Sequence, residues 1–548
     1  MTGILCAASL AAGLAACAGT PRASSGDTRV FDIVHGSEHR AQDDLLTAGL
    51  GPDGLRAMTP PAFADPAHPT AAELRRRAIW SNWRGIADLG PGGGYGELYG
   101  SLAGVPGREF HAYATVPGAR HPHRMLVQLP DAFDARRRCV VVTASSGSRG
   151  IYGSIAVAGA WGLPRGCAVA YTDKGAGTDY FDLDSGSGVR ADGTRGPADS
   201  GDLAFVPAAP AGAAGVAVKH AHSGDNPEAD WGRHVQQAAQ FALQALDRAL
   251  PGQAPFTFDN TRVIAVGISN GGGAVLRAAE LEGDWLDAVV AGEPNVHVDA
   301  PGARTLYDYT TEAALLMPCA QLHLQDLPQP PLSAQMAPLW TARCASLAVA
   351  GLVDGQDTAT QARSAYERML AAGWTEGAIR AGVLSTGFDL WRAVAATYAS
   401  AYGRYGVGEH PCGFAFSAQN ADFSPRAASD AERAAWPRVR TRTPRASRTG
   451  LPPPAPRRRV RACRCSWCTA ATTAWCRWPS APRPMSPPRA PPVETCACGK
   501  CATPSISTVS SGCRTMRRAT CRCCPMSMPR STMWTRIWTG RARCRAMR

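Results

Sequence analysis

Apolar runs of strand length recur at residues 124–129, 139–143 and 167–171, and the latter two are apolar at consecutive positions. Strands buried on both faces read this way, because helices cover the sheet from either side. A helical period follows over residues 230–250, then a strand-like run at 262–266, a helix-like one at 272–281 and a strand-like one at 286–291. Strands alternating with helices predict an α/β fold on a doubly wound, mostly parallel sheet. Between residues 299 and 424 the period is mostly helical, with apolar clusters at Leu315-Leu316-Met317, 361–372 and 389–402. An insertion at this point predicts a helical cap that shapes a pocket and excludes water. Cys319 and Cys344 fall within it, and spacing alone leaves open whether they pair or stay as buried thiols.

Both ends depart from this pattern. Residues 4–18 form an apolar run of Ala, Leu and Gly, too short to span a bilayer and of a length that suits a signal-peptide core. Leu14-Ala15-Ala16-Cys17 resembles a lipoprotein signal-peptidase site, which would place a lipid anchor on Cys17; a secretory signal cut between residues 18 and 23 explains the run as well. Export is the expectation, as a secreted protein or alternatively a periplasmic or outer-membrane lipoprotein. No later segment has the length and apolarity of a membrane span. The expected organisation is a signal over residues 1–23, the first part of the core over 24–298, the helical cap over 299–435 and an aberrant tail over 436–548.

Charge and cysteine sharpen that last boundary. The formal charge of +13 is uneven: residues 433–548 carry 25 Lys or Arg against one acid, leaving 32 bases and 43 acids for the first 432 residues. A nucleic-acid reading would rest on the tail alone, outside any folded motif, and no nucleic-acid partner is expected. Twelve of the 19 cysteines lie in the tail, while all 12 histidines lie at or before His410. From Trp436 onward no helical or strand period survives. The pairs Cys465/Cys468 and Cys498/Cys501 are too far apart, and too lacking in histidine, for a zinc ribbon, so no metal is expected. Plausible GC-rich codons re-read one frame over explain the tail better. Residues 463–478 become P-V-L-V-V-H-G-R-D-D-G-L-V-P-V, a strand and acid-bearing loop, and 494–508 become D-L-R-L-W-E-V-R-H-A-Q-H-F-D, a strand ending in histidines. The tail is therefore expected to be a disordered frameshift product, with the break near residues 436–445.

The chemistry centres on Gly267-Ile268-Ser269-Asn270-Gly271, set between a strand-like and a helix-like run. In that context a G-x-S-x-G match is a nucleophile elbow, whose glycines permit the sharp turn that lifts the serine hydroxyl clear of the sheet. Ser269 is the expected nucleophile and the N–H of Asn270 an expected oxyanion donor, with Ser146 or Gly147 of the glycine-rich loop 144–150 offering the second. His220, His222 and Glu293 are candidates to line the pocket. A base is harder to find: in such hydrolases acid and histidine follow the serine, and only His297, His323 and His410 do so here.

The run Lys219-His220-Ala221-His222-Ser223-Gly224-Asp225-Asn226-Pro227-Glu228-Ala229-Asp230-Trp231-Gly232, the elbow with Gly272 and Gly273, and Gly292-Glu293-Pro294-Asn295 together resemble the bacterial D-(-)-3-hydroxybutyrate oligomer hydrolases. The resemblance covers residues 27–435 and resumes in the shifted frame. It implies an α/β-hydrolase-like fold, secretion, and hydrolysis of short 3-hydroxybutyrate oligomers to monomer in polyhydroxybutyrate breakdown. It also implies Ser269 as charge-relay nucleophile, with no metal or organic cofactor. Two alternatives stand beside it: another secreted carboxylesterase of tannase or feruloyl-esterase type, and a catalytically dead product of a frameshifted gene.

Overall fold

A computed structural model describes residues 31–90, 102–147, 149–298, 300–324, 326–327, 333–388 and 390–409. The expectations for the signal, for Cys17, for His410 and for the tail from residue 436 lie outside the described residues. In chain order the strands are β1 (Ile33–His39), β2 (Gly107–Ala114), β3 (His123–Pro130), β4 (Cys139–Ala144), β5 (Ala168–Thr172), β6 (Tyr180–Asp182), β7 (Ser187–Val189), β8 (Arg195–Pro197), β9 (Val216–Val218), β10 (Arg262–Ile268) and β11 (Ala288–Gly292). The α-helices are α1 (Gly51–Arg56), α2 (Ala71–Trp83), α3 (Ala160–Gly162), α4 (Lys219–His222), α5 (Trp231–Ala249), α6 (Asn270–Ala279), α7 (Leu306–Ala320), α8 (Ser333–Val349), α9 (Thr358–Ala371), α10 (Glu376–Val383) and α11 (Leu390–Gly403).

The sheet corrects the expected fold class. A doubly wound, mostly parallel, α/β-hydrolase-like sheet does not form. The main sheet is mixed, with seven strands in the order β1-β2-β3-β5-β4-β10-β11, and a separate four-stranded sheet has the order β8-β7-β6-β9. The pairings β1–β2, β2–β3 and β3–β5 are antiparallel. Only β5–β4, β4–β10 and β10–β11 are parallel. Connection length accounts for the β2–β3 pairing and for the parallel pairs, though not for β1–β2, whose connection runs through α1 and α2. The stretch between β2 and β3 is a short loop turning at Gly118 (φ +89°), which can only return the chain antiparallel. Between β4 and β5 the chain passes through the helical stretch that includes α3, and between β10 and β11 through α6, and such crossovers permit parallel pairing. The second sheet is antiparallel throughout, and the periodicity of its three-residue strands is too short to read.

Burial of the central strands follows the apolar runs. On one face Val140, Val142, Val263 and Ala265 pack against Trp231, Val235, Phe241 and Leu246 of α5 and Val275 of α6. On the other, Val141, Val169, Ile264 and Val266 meet Ile79 and Trp83 of α2 and Ile155 and Trp161. Successive residues of one strand thus enter opposite layers, as its two-residue side-chain period requires. Helix α2 starts where Thr70 and Glu73 form a reciprocal capping box, and Thr305 with Asp308 does the same for α7.

After β11 the described chain forms α7 to α11 around a third apolar cluster with Leu315, Met317, Ala362, Met369 and Ile379. Cys319 and Cys344, left open by sequence, form a disulfide between α7 and α8. Cys139 and Cys167 form a second, at the start of the β4–β5 pair, which spacing did not suggest. No helix of the described residues is long and apolar enough to cross a membrane.

Candidate active site

Ser269 sits at the joint between β10 and α6 with φ +55° and ψ −124°, a conformation that L-residues rarely adopt. The surrounding contacts hold it there. Ser269 N–H donates to Gly292 O at 2.9 Å, and its carbonyl accepts from Asn295 N at 2.9 Å and Gly273 N at 3.1 Å. The flanking glycines are required by close approach: a Cβ on Gly267 would lie 2.2 Å from Gly271 O, and one on Gly271 would lie 2.3 Å from Ala144 O. This is the strand-turn-helix geometry of a nucleophile elbow, with the serine half-buried.

The glycine contact also brings the loop after β4 against the elbow, since a Gly271 Cβ would stand 2.9 Å from Ser145 O. Asn270 is the first residue of α6, so its N–H has no partner within the helix and is free to meet a ligand. Ser146 is buried, and Gly147 has φ +56° with open space where a side chain would stand. The elbow and the oxyanion-loop candidates therefore lie on touching backbones.

Behind Asn270 lies a polar cluster that sequence reasoning largely missed. Asn270 Nδ2 donates to the Tyr398 hydroxyl at 2.9 Å, reaching α11 across 128 residues of sequence. The Lys174 ammonium lies 5.1 Å from the centre of the Tyr398 ring and 5.2 Å from that of Trp231. Lys174 also forms an ion pair with Glu228, which accepts from the Tyr402 hydroxyl at 2.9 Å. Burial alone would raise the Glu228 carboxyl, but the Lys174 charge and the contact with His220 hold it well below the usual glutamate range. Burial would lower Lys174, and Glu228 reverses that and raises it. Glu228 stood within the distinctive run around His220; nothing local marked Lys174, Tyr398 or Tyr402.

The histidine candidates separate. His220, on α4, is 1% exposed, stands edge-on to Tyr398 at 5.9 Å, and has Nε2 3.5 Å from Glu228 Oε1 without a hydrogen bond to either ring nitrogen. Burial and then the Lys174 charge lower its pKa, so it is neutral near pH 7. His222 Nδ1 accepts from Val218 N at 3.0 Å. Glu293 is exposed with φ +43°, next to the Gly292 carbonyl that receives the Ser269 N–H. His297 and His323 are exposed, and His323 packs on Tyr366. Among the described residues the Ser269 side chain makes no hydrogen bond to any of these histidines.

A cleft lined by His121, His123, Lys219, Asp225, His234 and Arg404 borders Lys174 but does not include Ser269. Its two inner histidines, His123 and His234, stack with ring centres 4.0 Å apart. Burial pushes His123 down to about 4. The strained Ser269 backbone and the free first N–H of α6 lie at the elbow, outside this cleft. No group of three or more His, Cys, Asp or Glu among the described residues is arranged to hold a metal ion.

Comparison with known proteins gives a consistent match. A family model described as 3HB-oligomer hydrolase (3HBOH) matches residues 13–438. A protein named D-(-)-3-hydroxybutyrate oligomer hydrolase from Burkholderia vietnamiensis is 42% identical over 476 residues, covering 76% of this chain and 68% of that relative. One of the same name from Burkholderia thailandensis is 42% identical over 428 residues, covering 69% of this chain and 61% of its own length. The matches thus span between three fifths and seven tenths of these relatives. Among solved structures, the tannin acyl hydrolase from Aspergillus niger aligns with 46% of this chain and 38% of its own at 16% identity and a TM-score of 0.25, too low to carry a fold.

Proposed function

The chain belongs to the 3HB-oligomer hydrolase family, and from that premise we propose that its elbow is the acylation site of a serine esterase acting on 3-hydroxybutyrate oligomers. The observation that carries the reading is the backbone of Ser269, strained at φ +55° and set between Gly267 and Gly271, of which Gly271 packs against the loop after β4. Ser269 Oγ attacks the ester carbonyl carbon, and its proton passes to a base. The carbonyl oxygen takes negative charge opposite the N–H of Asn270 and an N–H at Ser146 or Gly147. Collapse expels the shortened oligomer as an alcohol and leaves a 3-hydroxybutyryl ester on Ser269. Water then releases 3-hydroxybutyrate.

The base and its acid belong, on this reading, to sequence encoded one frame over. Three observations support this. No described histidine bonds to Ser269, the family match ends at residue 438, and the composition changes from Trp436. The 548-residue polypeptide then retains its oxyanion donors but lacks its base, a loss on the order of a million-fold in the best-studied serine protease. We also propose export, supported by the disulfides Cys139–Cys167 and Cys319–Cys344, which persist in oxidising compartments.

Resequencing the gene across codons 425–470, followed by assay on 3-hydroxybutyrate trimer, tests the reading. A single-base correction that yields a trimer-cleaving protein, the frame-restored chain, supports it. A confirmed frame with no cleavage marks a decayed gene, and cleavage of aromatic esters but not the trimer marks another esterase.

A further inference from the structure

Helix α11 lies far from the elbow in sequence, yet its Tyr398 accepts a hydrogen bond from the side chain of Asn270, the oxyanion donor of the reading above. We propose that Tyr398 is a positioning residue, fixing Asn270 so that its backbone N–H faces the substrate carbonyl; this rests on the reading of the elbow given above. Asn270 begins α6, where the helix supplies no hydrogen bond to hold its N–H in one direction. Its side chain supplies the missing restraint by donating to the Tyr398 hydroxyl at 2.9 Å, with Asn270 9% and Tyr398 6% exposed. Any rotation of Asn270 therefore breaks a bond that little water can replace.

Tyr398 is itself held on several sides, which a restraint requires. Lys174 lies against its ring, His220 stands edge-on to it, and Tyr402 packs at 5.4 Å. One turn on, Tyr402 donates to Glu228. Ser400 Oγ donates to Ala221 O, and Gly224 N donates to Tyr405 O at 3.1 Å, so the end of α11 is tied to α4 and the residues after it. The restraint thus runs from the distinctive 219–232 segment through α11 to the elbow. It gives the long buried run around His220 a task other than touching substrate.

The test uses the 548-residue chain, because serine hydrolases stripped of their triad keep a residual rate that comes from oxyanion donors and binding. Steady-state hydrolysis of p-nitrophenyl butyrate would be measured for the native chain, Tyr398→Phe, Asn270→Ala, the double variant, and Thr397→Ala on the exposed side of α11, with thermal unfolding alongside. Loss of one neutral hydrogen bond should lower kcat about fivefold for Tyr398→Phe, with KM unchanged. Asn270→Ala keeps the backbone N–H but loses the side-chain restraint, so it should fall equally, and the double variant no further. Thr397→Ala should match the native chain. Additive losses, or a Tyr398→Phe loss that follows unfolding rather than kcat, overturn the positioning role and leave the hydrolase reading standing. Native chain indistinguishable from buffer overturns the oxyanion site and the positioning role together.

Discussion

Replacing Lys174 with methionine exposes the energetics of the polar cluster behind the elbow. The Lys174 side chain is 1% exposed and that of Glu228 13%, so the pair is largely withdrawn from water. Methionine preserves length and can lie between the Trp231 and Tyr398 rings, but Glu228 then keeps only the Tyr402 hydroxyl and the His220 contact. Removing one member of a buried pair costs about 3–5 kcal/mol, and the partial exposure of Glu228 puts Lys174→Met near the lower figure, about 3 kcal/mol. The double variant Lys174→Met/Glu228→Gln removes both charges and should be more stable than Lys174→Met alone.

Acidity separates this explanation from a simple loss of packing. In the native chain the Glu228 carboxyl is held below its usual range, so its stabilisation is complete above that range and disappears only as pH falls through the folded-state value. Without Lys174, burial raises the carboxyl. The folded variant then binds more protons than the unfolded chain, and its stability falls as pH rises. Urea unfolding followed by tryptophan fluorescence at about pH 5 and about pH 7 should show a smaller Lys174→Met deficit at the lower pH. A deficit independent of pH, or a double variant as unstable as Lys174→Met, would refute the reasoning.

Three further outcomes are expected. Gly271→Ala forces a Cβ to 2.3 Å from Ala144 O; the backbone must shift, costing about 1–3 kcal/mol in urea unfolding and lowering esterase kcat of the frame-restored chain about a hundredfold. Cys319→Ser/Cys344→Ser opens a loop of sequence separation 25 and should lose about 3 kcal/mol, with the native chain approaching it under reductant. His123 is buried and neutral with its pKa pushed down to about 4; the unfolded histidine binds a proton first, so stability should fall by about 1.4 kcal/mol per pH unit between roughly pH 6 and that value. Replacement of His123 by glutamine should flatten this slope in urea titrations.

The central strands were legible because β4 and β5 are apolar on both faces, and the elbow because its glycines bracket a serine at a strand-to-helix junction. The mixed sheet was not. β1 alternates, with burial switching at successive residues from Ile33 to Glu38, inside a stretch whose composition reads as polar, and β2 carries Arg108, Glu109 and His111. Glu109 is nevertheless fully buried, satisfied by Arg75 at 2.8 Å and by the Tyr152 hydroxyl at 2.7 Å, partners separated from it by 34 and 43 residues. A sequence shows a charge but not the distant group that neutralises it. The same limit hid Tyr398, whose role depends on a contact formed only when α11 packs beside the elbow. The disulfide Cys139–Cys167 was equally illegible, since it depends on β4 and β5 being neighbours.

Trapping the acyl-enzyme would show whether Ser269 is the nucleophile. The frame-restored chain would be mixed with 3-hydroxybutyrate trimer, quenched in acid during turnover, digested and mapped by mass spectrometry. A 3-hydroxybutyryl ester is expected on the peptide containing Ser269 and absent from Ser269→Ala. Trimer turnover with Ser269 unmodified, or undiminished turnover by Ser269→Ala, would contradict it.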